Sequence, residues 1–203
     1  MKKLGIVLSL ALATLLLAGN ALAQDTSVYF VTYYSNANTA GAPDGVLRLI
    51  NDGDASTAQV EGVPNGNLWA SIYVFDDSQE LQECCNCFVS ADGLLSESVN
   101  KNLTANELTG RAEMSRGVIK VISTARPDPT NNSGKSGLRG WQTHIQSWAN
   151  QPTSGSFYVT ETRLADSNLV SAEQQALQQS CSFAITLGSG YGVCSCTPED
   201  HDF

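Results

Sequence analysis

Apolar and polar positions alternate with a period of two along most of this chain, and clusters of Gly, Asn, Asp and Ser interrupt the alternation at regular intervals. That pattern predicts short β-strands joined by turns, because successive side chains of a strand point to opposite faces of its sheet. Val28, Tyr29, Phe30, Val31, Thr32, Tyr33 and Tyr34 form an aromatic, β-branched run that suits a pleated, buried strand. Val46–Ile50 reads as the next strand. Asn51-Asp52-Gly53-Asp54 comes after it, with Ala55–Val60 as a hairpin partner around an Asp-Gly turn. Leu68–Phe75 is the strongest strand: Leu68, Ala70, Ile72 and Val74 share one face, with Trp69, Tyr73 and Phe75 on the other. An element apolar on both faces is expected at the centre of a sheet or between two layers. Residues 84–89, 94–99, 118–123, 141–145 and 157–162 supply further strands. One segment breaks the period. Ser171-Ala-Glu-Gln-Gln-Ala-Leu-Gln-Gln is rich in helix formers, with Ser171 and Gln174 spaced as a capping box and Gly188 as a stop. Many strands with one late helix predict an antiparallel β-sandwich, Ig-like or jelly-roll-like, with a C-terminal helix.

The first residues belong to a different pattern. Lys2 and Lys3 precede an apolar run from Leu4 to Leu17, and Ala21-Leu22-Ala23 places small residues where a signal peptidase reads. Residues 1–23 are therefore expected to be a signal peptide cleaved before Gln24. The apolar run is short for a membrane span, and no Cys comes directly after it to take a lipid. The polar, acidic C-terminal residues predict no second anchor. About 180 of the 203 residues then remain, enough for a single core, so residues 24–203 read as one domain. The leader carries two lysines and no acids, so the formal charge of −9 becomes about −11 in the mature chain. Nucleic acid and anionic membranes both require a basic surface, and that balance argues against them as partners. The mature chain is expected to be secreted or held at the cell surface, the periplasm being the other compartment a signal peptide serves.

Compartment decides how the cysteines read. In a reducing cytosol, Cys84, Cys85 and Cys87 with a distant Cys194-Ser-Cys196 would suggest a thiolate metal site. In an oxidising compartment, six cysteines predict three disulfides, for which sequence allows fifteen connectivities. In an extended segment Cys85 and Cys87 share a face and Cys84 takes the other. The simplest arrangement bridges the 85/87 pair to the 194/196 pair and leaves Cys84 for Cys181.

Other chemistry is thin. There are two histidines, His144 and His201, and no Gly-x-Ser-x-Gly elbow. His144, between Trp141 and Trp148, reads as a hydrogen-bonded structural residue. Asp76, Asp77, Glu80 and Glu83 could flank a glycosidic bond, but the run reads more simply as a solvated loop after a strand. Asp52, Asp54, Asp76 and Asp77 are weak calcium candidates, because no Asp-x-Asp-x-Asp-Gly loop surrounds them. Trp69 reads as core, whereas Trp141 and Trp148 beside Arg139 could offer a sugar-stacking platform. No cofactor and no catalytic residue is expected.

The hairpin-like segment Leu47-Arg-Leu-Ile-Asn-Asp-Gly-Asp-Ala-Ser-Thr-Ala58 resembles those of exported bacterial Ig-like modules. The run from Ala70 to Cys87, together with Cys194-Ser-Cys-Thr-Pro-Glu-Asp200, resembles uncharacterised secreted proteins of environmental bacteria such as acidobacteria. The resemblance spans most of the mature chain and brings no site residues. By elimination, the chain reads as a non-enzymatic structural or adhesive protein of the cell surface or matrix. Its candidate partners are itself, through the strand Val28–Tyr34 as in donor-strand filaments, and surface glycans. A carbohydrate- or calcium-binding module and a carboxylate-pair hydrolase are the rival readings.

Overall fold

The computed structural model describes residues 27–55, 66–106, 110–111, 114–130, 133–147, 156–186 and 196. The expected leader, residues 56–60 of the expected hairpin, Trp148, Gly188, Cys194 and His201 lie outside them. The described residues form eleven strands and one α-helix. They are β1 (Tyr29–Tyr34), β2 (Val46–Asn51), β3 (Leu68–Asp76), β4 (Leu81–Val89), β5 (Leu94–Ser98), β6 (Ala105–Asn106), β7 (Gly110–Arg111), β8 (Gly117–Thr124), β9 (Leu138–Ser147), β10 (Phe157–Arg163), β11 (Ala165–Asp166) and α1 (Ser171–Thr186). A single π-helical turn at Val99–Leu103 comes directly after β5.

Two antiparallel sheets face one another. The first has the order β11-β1-β8-β3-β4, and the second β10-β9-β2-β5, while β6 and β7 form a separate two-stranded pair. Across the sandwich β4 lies over β5 and β2, and β1 over β9. Period-two alternation fills the space between them with Phe30 and Tyr34 of β1, Leu47 and Leu49 of β2, Leu68, Ala70, Ile72 and Val74 of β3, Leu95 of β5, and Ile119 and Val121 of β8. All are essentially inaccessible to solvent, and such burial is the main favourable term in folding.

The opposite face of the first sheet carries the third layer. Tyr29, Tyr73, Cys84 and Ile122 project outward there and meet Leu177 and Cys181 of α1. Only these two helical residues are buried, so the layer is thin. The Gln174 N–H donates to the Val170 carbonyl, which puts the cap at Val170 and makes Ser171 the first helical residue rather than the cap. The helix runs to Thr186, longer than the three turns the pattern suggests.

The hairpin expected between residues 46–50 and 55–60 is not how β2 pairs. β2 is flanked on both sides, by β5 and by β9, leaving no edge for Ala55–Val60. The reason lies in Asn51. Its buried side chain donates to the carbonyls of Gly66 and Val89 and accepts from Gly53 N–H, so the chain turns away after β2, helped by the left-handed backbone of Gly53. Trp69, expected in the core, stands on the outer face of the first sheet, half-buried and edge-on to Phe88 at 5.2 Å.

One glycine makes the topology possible. After β10 the chain crosses from the second sheet to the first, carrying Leu164 over Gly140. A Cβ on Gly140 would stand 2.5 Å from Leu164 and 2.6 Å from Leu49. Leu164 N–H donates to the Gly140 carbonyl at the same point, which ties the crossover down before β11 joins β1.

Candidate functional site

The strand β4 gathers the densest chemistry. Its register with β3 pairs Tyr73 with Cys84, Ile72 with Cys85, Ala70 with Cys87 and Val74 with Glu83. Period two therefore turns Glu83, Cys85 and Cys87 into the sandwich and Cys84 out toward the helix. Cys84 is bonded to Cys181 of α1, and Cys87 to Cys196. Cys85 is disulfide-bonded as well, and its sulfur lies 3.8 Å from that of Cys87. One strand is thus cross-linked through both of its faces. The sulfurs of Cys85, Cys87 and Cys196 lie within 4.8 Å of one another. Bonded as disulfides, they have no thiolate to offer a metal.

Glu83, which the sequence places in a solvated loop, is instead 2 % exposed. Among the described residues its Oε2 has no hydrogen-bond partner. Burial raises its pKa to about 8, so the side chain is a neutral acid at and below neutral pH. The spacing carries the signal: Glu83, Cys85, Cys87 and Val89 are separated by two and share the buried face.

The neighbouring acids take separate duties. Asp76 closes the β3–β4 turn, accepting from Ser78 N–H and Glu80 N–H through Oδ1 and from the Gln82 amide through Oδ2. Asp77 pairs with Arg116 at 2.7 Å on the surface. Asp52 accepts from Asp54 N–H and pairs with Arg139, and Asp54 is exposed. Among the described residues, the cysteine sulfurs are the one group of three or more potential metal ligands brought together. The structure does not assemble Asp52, Asp54, Asp76 and Asp77 into such a group.

His144 is buried on β9. Its ring stacks on Tyr33 with centroids 4.0 Å apart, and Nε2 lies 2.6 Å from the Thr162 hydroxyl. Desolvation lowers its pKa, partly offset by the Tyr33 backbone, toward which the ring N–H donates, so the imidazole is neutral near pH 7. The Thr162 hydroxyl and the Tyr33 ring orient it as a structural side chain. A triad would need a carboxylate behind the imidazole.

Between the helix and the loop after β8 lies an open depression of about 450 Å³, lined by Thr130, Gln178, Gln179, Ser182, Phe183 and Thr186. Its floor is uncharged, and Phe183 is 68 % exposed. Trp141 and Arg139 sit apart from it, on the outer face of the second sheet.

The candidate assembly strand Val28–Tyr34 pairs within its own chain. β1 pairs along its whole length with β8, and at Phe30 and Val31 also with β11. Tyr29, Phe30 and Tyr34 are buried.

The bare edge lies elsewhere. β10 pairs with β9 over all seven of its residues without a register break, and among the described residues its other side has no strand neighbour. Tyr158 and Val159 are 49 % and 55 % exposed. Nothing in the sequence marks this strand as an edge. Phe-Tyr-Val-Thr-Glu-Thr-Arg reads like any half-buried strand, and only the long-range pairing order decides which strand stands last.

No protein-family model, no curated protein and no solved structure matches this chain.

Proposed function

We propose that this chain is a non-enzymatic structural or adhesive protein, exported and held at the cell surface or in the extracellular matrix. The observation that carries the reading is the double cross-linking of β4, to α1 through one face of the sheet and to Cys196 through the other. Disulfides of this kind persist in oxidising compartments. Rings of roughly a hundred residues each add about 4 kcal/mol in the chain-entropy model. Export is supported further by the signal-like residues 1–23. Asp52, Asp76 and Asp77 serve turns and ion pairs and His144 is packed in β9, which suits a scaffold better than a reaction centre.

The test joins location and assembly. Cells producing the native chain are fractionated, and the mature protein is located by immunoblot and by negative-stain electron microscopy of surface material. Retention on the cell surface or in matrix, with ordered oligomers, is the expected result. Free monomer in the medium overturns the reading. For the N-terminal route, deletion of residues 24–34 is the discriminating variant. A folded but non-assembling product supports strand donation, and an unfolded one means that β1 serves its own domain.

A second reading has its own observation. The uncharged depression, with two glutamines, hydroxyls and an exposed ring, has the chemistry of a weak glycan site. A glycan that raises the melting temperature of the native protein, but not of Phe183→Ala, favours it.

A further inference from the structure

A sheet edge presents unpaired N–H and C=O groups, and proteins usually blunt it with shortness, bulges, lysine or proline. Among the described residues, three of the four edges in this sandwich are blunted. β11 is two residues long. β5 has five residues and ends directly in the π-helical turn. β4 carries a register shift beside Val74 and Phe75 and is pinned by disulfides. β10 has the fewest such devices: it is seven residues long, regular, and free of Lys, Pro and Gly, its charges being Glu161 and Arg163.

Its hydrogen-bonding geometry is fixed by one bond. Leu164 N–H donates to the Gly140 carbonyl, which makes that position a hydrogen-bonded pair of the β9–β10 ladder. Such pairs alternate along an antiparallel ladder. Thr162, Thr160 and Tyr158 therefore point their backbone groups at β9, while Phe157, Val159, Glu161 and Arg163 point theirs outward.

We propose that β10 pairs antiparallel with β10 of a second copy of this chain, about a two-fold axis at Thr160. The contact rests on the structural, self-associating function proposed for the chain and gives it a location. In that register the outward groups of Val159 meet those of Glu161, and Phe157 meets Arg163, so all seven residues overlap. Threonine faces threonine at the centre, a favourable cross-strand pair. A two-residue slip one way puts Glu161 opposite Glu161, and like charges there are destabilising. The same slip the other way shortens the ladder. The strand is also formally neutral, carrying one acid and one base, and Glu161 is paired with Arg48 of its own chain, in a chain of net charge −9. It is a place where two acidic molecules meet without adding repulsion. Such a contact is isologous and small, so the dimer is reversible and concentration-dependent.

Sedimentation velocity of the mature, oxidised protein from 1 µM to 1 mM is the test. The expected result is a monomer–dimer equilibrium. Val159→Lys and Val159→Pro should each weaken it at least tenfold with unchanged circular dichroism, since Val159 gives no backbone bond to β9. Thr160→Cys should give a disulfide-linked dimer on oxidation, and Thr162→Cys much less. A monomer throughout, or a dimer indifferent to both Val159 variants, overturns the proposal. A monomer retained at the cell surface leaves the structural function standing without this contact. A β10 dimer found only free in the medium does the reverse.

Discussion

β4 and β10 are both edge strands, one in each sheet, and the molecule treats them oppositely. β4 is bulged, cross-linked through both faces, and loaded with a buried acid. β10 is regular, has no strand beside its outer edge among the described residues, and is exposed along nearly its whole length. A sheet edge can be sealed by covalent chemistry or left open for pairing, and the cost of leaving it open is tolerated where pairing is useful. The contrast assigns the stability of the domain to β4 and its associations to β10.

The largest expected effect is at the sealed edge. Replacing Cys84 and Cys181 together by Ser should cost about 4 kcal/mol in guanidinium unfolding. Amide exchange should quicken first in α1, which is otherwise buried only through Leu177. Next comes the acid inside that edge. The folded pKa of Glu83, about 8, lies above the ordinary carboxylate value of 4.5. Its protonated form is kept by folding, so its contribution is complete below pH 4.5 and falls away as pH rises through 8. Glu83→Gln should flatten that slope and stabilise the protein at alkaline pH by about 2 kcal/mol, read from denaturation at several pH values.

Glu173 supplies the opposite slope on the other face of the same sheet. Its carboxylate accepts from Lys120 at 2.5 Å and from Tyr29, and the bond from Lys120, foremost, holds its pKa below the ordinary value. That contribution is present above the ordinary carboxylate range and is lost on acidification through the lowered pKa. Glu173→Gln should cost about 1 kcal/mol near neutral pH and little in strong acid, measured by the same titrated denaturation. Burial, with Glu173 adding to it, in turn raises the pKa of the Tyr29 phenol. The smallest effect on stability belongs to the bare edge. Val159→Lys should change unfolding by less than about 0.5 kcal/mol while removing self-association, which separates the two edges by measurement.

The legibility of the sequence divides along the same line, between local and long-range pattern. Local alternation announces most strands, and the aliphatic side of Leu68–Phe75 is indeed the inner face of β3. What alternation lacks is pairing order. Ala55–Val60 looks like a partner for β2 because an Asp-Gly turn stands between them, yet distant β5 and β9 take both of its sides. Trp69 reads as core because it is large and mid-strand, but its face carries the thin helical layer, and α1 buries too little to cover it. Glu83 is hidden by its acidic neighbours, although counting by two from Val89 turns it inward. The exposure of β10 has no local signature, since it depends on which strand closes the second sheet.

The cross-links also impose an order in time. A chain is made from its N-terminus, and Cys84 and Cys87 emerge 97 and 109 residues before Cys181 and Cys196. As the chain enters an oxidising compartment, the three cysteines of β4 have only each other to react with until the last residues follow. Premature bonds among them would be errors. The Cys85 and Cys87 sulfurs stand 3.8 Å apart in the finished fold, near enough for a thiolate on one to attack a bond formed by the other. That proximity gives the maturing chain a local route for exchanging a wrong bond for a right one once its last residues arrive. It also means that a variant lacking Cys196 alone would carry a thiol beside the bond of Cys85, with reshuffling rather than a simple loss as its consequence.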